Sequence, residues 1–372
     1  MVDVIVVGGG IAGASVTYRL ARDGVRVTLL EAGQLGNATS LVSFAWINAS
    51  NKPPLDYHLL NVAGMGEHAA LLHEFGRAPW LHLDGCIEWA SGDDGHSRLR
   101  AKVARLRGWG YHAELLPASA LGSLEPSLAA PPDVAEIAYY PTEGYVDTTL
   151  LVGFLAQAAQ AAGATVRRNC RVVELIRSGE RVRGVRTANG EQLNADVVVS
   201  CVGRWTAELA ELAGIRVPLA PTVGMNAISA PAPVTLRAVI QAPRISLRPD
   251  GAGRIMLRHE DFDAIVRADT PVEPVPSVCA DMLERAARVL PGLAGTRIEA
   301  ARVGVRPIPA DGYSVIGPAP AAGGLYLVCT HSAVTMGPLL GRVVAREIVS
   351  GDVDPRINPF RPERLVTART VG

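Results

Sequence analysis

The amino-acid sequence predicts an α/β fold in which a parallel-sheet domain, discontinuous in sequence, carries an antiparallel β-rich insert. Three observations support this. The first thirty-one residues run strand, glycine turn, helix, strand without a break. Buried-strand segments of the same kind recur at Asp196–Gly203 and Gly324–Cys329. Between them lie strand-rich stretches interrupted by prolines, above all from Val217 to about Arg267. The first domain is therefore expected to be Rossmann-like.

Asp3-Val4-Ile5-Val6-Val7 is short, β-branched and almost wholly apolar, as a strand buried on both faces requires. Gly8-Gly9-Gly10-Ile11-Ala12-Gly13 follows in the G-x-G-x-x-G pattern. Gly8 permits the tight turn, Gly10 lets the backbone approach a pyrophosphate, and Gly13 lets the helix pack on the strand. A helix is expected from about Ala14 to Arg22, ended by Asp23-Gly24, then a strand over Val25–Leu30. Glu31, eighteen residues after Gly13, is placed to accept from ribose hydroxyls. A diphosphate would rest on the helix N-terminus, where free N–H groups and the dipole favour an anion. A glycine turn alone fits a βα connection with no ligand; strand, helix, second strand and acid together point to an adenine dinucleotide.

Helices are expected over Leu59–Phe75 and Ser97–Trp109, followed by turns at Pro117 and Pro131-Pro132. Thr148–Ala162 has helical apolar spacing and ends at Gly163, a C-cap glycine. Thr165–Arg167, Cys170–Ile176 and Val182–Thr187 alternate as strands, and the strand ending at Gly203 would rejoin the sheet begun by residues 3–7. Ser277–Leu290 reads as helix, and so does Leu339–Val349, with Pro338 suited to its first position.

Composition narrows the function. With 372 residues there is room for two domains, and 48% hydrophobic against 19% charged residues excludes a disordered chain. A formal net charge of zero gives no footprint for nucleic acid. The five cysteines are odd in number and widely spaced with no CxxC pair, which points to a reduced compartment and away from a metal site. No apolar run is long enough for a transmembrane segment, and the apolar start lacks the basic flank of a signal peptide. A cytoplasmic location is expected.

Taken in order, several motifs resemble those of the FAD-dependent D-amino-acid oxidase and glycine oxidase family. They are Val6–Gly13 with Glu31; Glu143-Gly144-Tyr145-Val146-Asp147 before a helix; Ala195–Val199 through Gly203-Arg204-Trp205; Val305-Arg306-Pro307 through Asp311-Gly312; and Thr330-His331-Ser332-Ala333-Val334-Thr335-Met336-Gly337-Pro338. The likeness spans nearly the whole chain. It implies an FAD-binding domain from residues 1–85, 141–215 and 300–372, and a substrate-binding domain from 86–140 and 216–299.

The resemblance also implies the chemistry: oxidation of a C–N bond of an amino acid or secondary amine to an imine, by hydride transfer to flavin N5, with the protein supplying position and electrostatics. Arg306 stands where the family clamps a substrate carboxylate by a bidentate fork, or it is a structural arginine paired inside the protein. Glycine oxidase has a second arginine where this chain has Ala333. Backbone N–H groups of Thr330, His331, Ala333, Val334, Thr335 and Met336 would face the flavin pyrimidine, where charge develops on reduction. His331 either bonds flavin or substrate, or orders its own loop. By the same resemblance Gly8, Gly10, Ile11, Ala12, Gly13, Glu31, Ala32 and Gly203 hold the nucleotide, Thr39 and Ser40 the diphosphate, and Val172 or Val173 the adenine. Phe44, Ala45 and Trp46 would run beside the ring, with Trp46 and Asn48 within reach of substrate; plain core packing explains Trp46 equally well. In the β-rich insert, Tyr139, Tyr140, Arg258 and His259 are candidate pocket residues, His259 being chosen as a substrate contact, and Tyr57 and His58 are candidates on the same footing.

Two absences matter. Sarcosine-type relatives attach FAD through a cysteine where this chain has Gly304, so non-covalent FAD is expected. They also activate oxygen with a lysine, and no lysine follows Lys102. Dioxygen, a quinone or another carrier stays open as acceptor, as does homo-oligomer formation. Two alternatives keep FAD: a tailoring oxidase or dehydrogenase of a larger amine-containing metabolite, favoured by Ala333, and a flavoprotein subunit of a multi-chain amine dehydrogenase.

Overall fold

A parallel sheet built from three distant parts of the chain organises the molecule. The computed structural model describes residues 2–129, 131–267 and 276–368; residues 268–275 of the predicted insert lie outside the described residues. The strands run Val315–Pro318, Leu325–Cys329, Val197–Ser200, Asp3–Val7, Arg26–Leu30, Thr165–Arg167. Val6 pairs with Val199, and Val199 with Tyr326, so the start, middle and end of the chain are in register. Only Val315–Pro318 runs antiparallel to its neighbour. The longer helices are α1 (Ile11–Arg22), α2 (Leu55–Phe75), α3 (Gly92–Gly108), α4 (Thr148–Ala161), α5 (Pro276–Val289) and α6 (Ala333–Ser350). Val6, Leu29 and Val199 join Val16, Leu20, Leu155, Leu340 and Val344, from α1, α4 and α6, in one buried cluster.

The second layer is an eight-stranded sheet in the order Ile298–Arg306, Thr222–Ser229, Ile255–Arg258, Ile245–Pro249, Val239–Ala242, Cys86–Glu88, Glu136–Tyr140, Glu114–Pro117. It is antiparallel except where Val239–Ala242 meets Cys86–Glu88. Both strand-rich segments of the chain therefore build one sheet, with a core of its own around Ile240, Leu247, Leu257 and Met282. Ile298–Arg306 hydrogen-bonds to Thr222–Ser229 along its length and ends against the first layer, where Thr39 Oγ1 donates to the Val305 carbonyl at 2.8 Å.

Most departures from the sequence-based expectations are at helix starts. α1, α2 and α3 begin at Ile11, Leu55 and Gly92, several residues ahead of the expected positions; the first turn of α3, Gly92-Asp93-Asp94-Gly95, is small and polar and carries no periodicity. The largest departure corrects the last helix: α6 begins at Ala333, and Pro338 lies inside it rather than at its start. A proline there has no N–H for the Val334 carbonyl four residues back. His68 Nε2, from α2, bonds that carbonyl at 2.9 Å and supplies the missing donor. Burial first of all pushes the His68 pKa down to about 4, so the ring is neutral.

Candidate active site

A cavity of about 520 Å³ runs along the carboxyl ends of the parallel strands. Gly8 follows Asp3–Val7, Glu31 follows Arg26–Leu30, Cys201 to Gly203 follow Val197–Ser200, and Thr330 follows Leu325–Cys329; all line it. This is the edge at which open α/β sheets bind ligands. Of the predicted residues, Gly8, Gly10, Ile11, Ala12, Glu31, Ala32, Thr39, Ser40, Val172, Val173, Gly203, Thr330, His331, Ala333 and Val334 lie on its wall.

At one end the glycines do steric work. Gly8 has φ +101°, and a Cβ there would press on the Cys201 carbonyl. A Cβ on Gly13 would overlap the Gly8 carbonyl oxygen, so Gly13 sets the helix–strand spacing and is not on the cavity wall. α1 has no side-chain cap at Gly10 and no acid in its first turn, which leaves its positive end open to a ligand. Ser40 Oγ accepts from Ile11 N at 3.2 Å. Glu31 does more than expected: its two oxygens accept from Gly9 N at 2.7 Å and Gly33 N at 2.8 Å, bracing the loop from inside. These residues fit the adenosine diphosphate part of a dinucleotide.

The other end is built on the start of α6. Ser332 is its N-cap and is nearly buried. Ser332 N donates to Thr330 Oγ1 at 3.0 Å, and Ser314 Oγ donates to the same oxygen at 2.7 Å, which fixes the turn. Tyr57 OH shares a 2.8 Å hydrogen bond with Ser332 Oγ, and Lys52 Nζ donates to that oxygen at 2.9 Å. His331 faces the cavity with its Nδ1 buried and unpartnered. Burial, then the positive charges of Lys52 and Arg306, hold its pKa down at about 3, so it is neutral. The residue lines the cavity, but its Nδ1 is closed off from it. Thr335 and Met336 point away from the cavity: Thr335 Oγ1 accepts from Asn48 N, and Met336 is fully buried.

Arg306 is not open. Its Nη2 donates to Asp263 Oδ2 at 2.5 Å and its Nη1 to Thr222 Oγ1 at 3.2 Å, while Arg258 Nη2 reaches the same Asp263 oxygen at 2.9 Å. His259 is turned away from the cavity: Nε2 bonds the Pro243 carbonyl and Nδ1 accepts from Asp261 N, which makes it the cap of a short helix. Trp46, Phe44 and Ala45 stand behind the cavity wall. Trp46 Nε1 donates to the buried Glu143, Phe44 O accepts from Arg248, and Ala45 O accepts from Val146 N. Tyr140 bonds Glu88, and His58 bonds the Ala49 carbonyl. Tyr139 lines a separate cavity of about 270 Å³ with Asp84, Ser123 and Arg237.

Three residues not singled out as candidates from the sequence take part. Glu143, fully buried, gathers the N–H groups of Ala49 and Ser50 and the Tyr111 hydroxyl on one oxygen and so ties the 43–50 loop in place. Its only sequence signal was its place at the head of the Glu143–Asp147 motif. Asp263 had no signal. Lys52 had one, in that it is one of two lysines in an arginine-rich chain. The other, Lys102, is held by Glu88 and Asn51.

The chain resembles known proteins over nearly its full length. The family model described as FAD dependent oxidoreductase matches residues 3–347. Glycine oxidase of Geobacillus kaustophilus is 28% identical, covering 98% of this chain and 97% of the relative. An opine oxidase subunit of Agrobacterium tumefaciens is 24% identical, covering 100% of this chain and 99% of the relative. The crystal structure of glycine oxidase from Geobacillus kaustophilus superposes with a TM-score of 0.84 at 25% identity, over 97% of this chain and 98% of that one.

Proposed function

The chain belongs to the family of FAD-dependent oxidoreductases, and on that premise we propose that it oxidises a C–N bond of an amino acid or secondary amine to the imine. The observation that carries this reading is a single cavity that joins a nucleotide cradle to a neutral, unpartnered His331 with Arg306 close by. FAD, when bound, supplies the hydride acceptor. Glu31, Ala32, Val172 and Val173 would hold its adenosine, Gly10 to Ala12 with Thr39 and Ser40 its diphosphate, and Thr330 to Val334 its pyrimidine end. The expected FAD half, 1–85, 141–215 and 300–372, and substrate half, 86–140 and 216–299, are proposed with one shift: Ile298–Arg306 pairs with Thr222–Ser229 and goes with the substrate half.

The chain's own residues orient rather than transfer protons. His331, with a pKa near 3, is a poor general base at neutral pH and acts as a fixed hydrogen-bonding group for the ring or the amine. Arg306 clamps the substrate carboxylate, with Asp263 as its resting counterion. Exchanging one carboxylate for another leaves the guanidinium paired throughout, so no bare buried charge is exposed on entry. The N-terminus of α6 would favour the negative charge that FAD gains on reduction. No cysteine lies between residues 280 and 328, in keeping with non-covalent FAD. The five described cysteines are free and buried, and no described helix is long and apolar enough to cross a membrane.

The test is direct. The purified protein should carry flavin that is released by acid precipitation and is bleached anaerobically by some member of a panel of D- and L-amino acids, N-methyl amines and cyclic imino acids. A colourless protein that takes up no FAD, or a bound flavin that no amine bleaches, refutes the reading. The full-length match to an opine oxidase subunit favours a second reading, in which the chain works within a multi-chain dehydrogenase. Bleaching by the isolated chain would show that no partner is needed for the reductive step.

A further inference from the structure

Lys52 is a cation in an electrostatically unfavourable place. Its Nζ donates to Ser332 Oγ at 2.9 Å, and Ser332 caps the start of α6, an eighteen-residue helix. The N-terminus of a helix carries the positive end of its dipole, where anions are stabilised and cations are not. Burial lowers the Lys52 pKa to about 8, with Glu143 opposing. Yet Glu143 already gives its oxygens to Ala49, Ser50, Tyr111 and Trp46, and no ion pair of Lys52 is found among the described residues. Arg306, the other cation acting on His331, is paired with Asp263, which it shares with Arg258. The start of α6 therefore combines the helix dipole with an ammonium that no protein carboxylate contacts. Such an arrangement is stabilised by an anion arriving in the cavity beside His331.

We propose that Lys52 is a positioning residue that, through Ser332 and the start of α6, stabilises the negative charge that the FAD ring gains on reduction. The proposal rests on the FAD reading above. The charge balance is simple: a hydride leaves the substrate carbon for the ring, the ring gains one negative charge, and the substrate leaves as an iminium cation. A positive potential near the ring would favour that transfer. A substrate carboxylate is the other source of an anion here, and the test separates the two.

The experiment is a reductive titration of the FAD-loaded protein with a redox dye and no amine present, comparing the wild type with Lys52→Met and Lys52→Arg. Lys52→Met should reduce the equilibrium constant for two-electron reduction about tenfold or more, a fall of about 30 mV in midpoint potential, and Lys52→Arg should recover most of it. An unchanged potential in Lys52→Met overturns the proposal. If that variant instead binds a carboxylate-bearing amine more weakly at unchanged potential, Lys52 belongs to the substrate. Should Lys52→Met not retain FAD, Lys52→Gln keeps a donor for Ser332 without the charge and carries the same comparison. A protein that takes up no FAD fails the earlier reading instead.

Discussion

If Arg306 receives the substrate carboxylate, Asp263 is its competitor, and removing that competitor should tighten substrate binding. Asp263 lies between Arg306 at 2.5 Å and Arg258 at 2.9 Å, with side-chain exposures of 11%, 32% and 30% respectively. Unit charges about 4 Å apart at an effective dielectric near 20 attract by about 4 kcal/mol. Solvent reaches roughly a third of the arginine, and Asp263 is shared, so about half of that, ~2 kcal/mol, is a fair figure for what an entering carboxylate must displace. Asp263→Asn removes the charge but keeps Oδ1 as acceptor for Met225 N, now at 2.9 Å, so the local backbone stays anchored. At 1.4 kcal/mol per decade, the Kd of a carboxylate-bearing amine should fall about thirtyfold. Freeing Arg258 adds positive charge and acts in the same direction. The assay is an anaerobic titration of flavin bleaching with two matched amines, one with and one without a carboxylate. No tightening for the acid, or equal tightening for both amines, would refute the counterion argument.

Four further outcomes are expected. Arg306→Ala should lower kcat/KM for carboxylate substrates by about 2–4 kcal/mol, roughly thirty- to a thousandfold, in steady-state kinetics; unchanged kinetics would take Arg306 out of the site. Glu31→Gln sets an amide NH₂ against the N–H of Gly9 or Gly33, and FAD affinity by fluorescence titration should weaken by about 1.5–3 kcal/mol, ten- to a hundredfold. Gly13→Ala forces α1 away from the Gly8 carbonyl, and a melting curve should show a loss of about 1–3 kcal/mol together with poor FAD retention. For His68 the sign follows from its depressed pKa, about 4 folded against 6.5 unfolded. The unfolded chain binds more protons between these values, so this contribution is whole above pH 6.5 and is lost as the pH falls towards 4, at up to about 1.4 kcal/mol per pH unit. Denaturant titrations should show a shallower slope over that window in His68→Gln, which keeps a donor for the Val334 carbonyl; an identical slope would acquit His68.

What was legible in the sequence was whatever is demanded locally. Gly8 and Gly13 are required by backbone geometry within one turn, and Glu31 stands at the end of the next strand, so the shape of this turn could be read residue by residue. The pairing of Val197–Ser200 with Asp3–Val7 followed as well, because such a run has few places to be buried on both faces. The start of α6 was misread for an equally physical reason. Pro338 looks like a first helical residue until a donor from another helix is known, and His68 lies 266 residues from the carbonyl it bonds. Lys52 and Ser332 are 280 positions apart, and Asp263 meets Arg306 across 43. Charge partners at such separations leave no mark in spacing or periodicity.

That contrast bears on how the chain should differ from its relatives. Backbone requirements are tied to residue type and are shared wherever the cradle is built. Side-chain charges around the reacting end can be rearranged without disturbing the fold, because they rest on separate elements: Lys52 before α2, Asp263 on a short helix after Ile255–Arg258, and Arg306 at the end of Ile298–Arg306. With Ala333 at the start of α6, the cations acting on His331 are Arg306, which shares Asp263 with Arg258, and Lys52, which no carboxylate touches among the described residues. Substrate acidity and flavin potential should therefore be set by different residues in this protein. Asp263→Asn should move the first and leave the second in place, and Lys52→Met should do the reverse. A double variant whose two effects failed to add would show that both cations act on one anion.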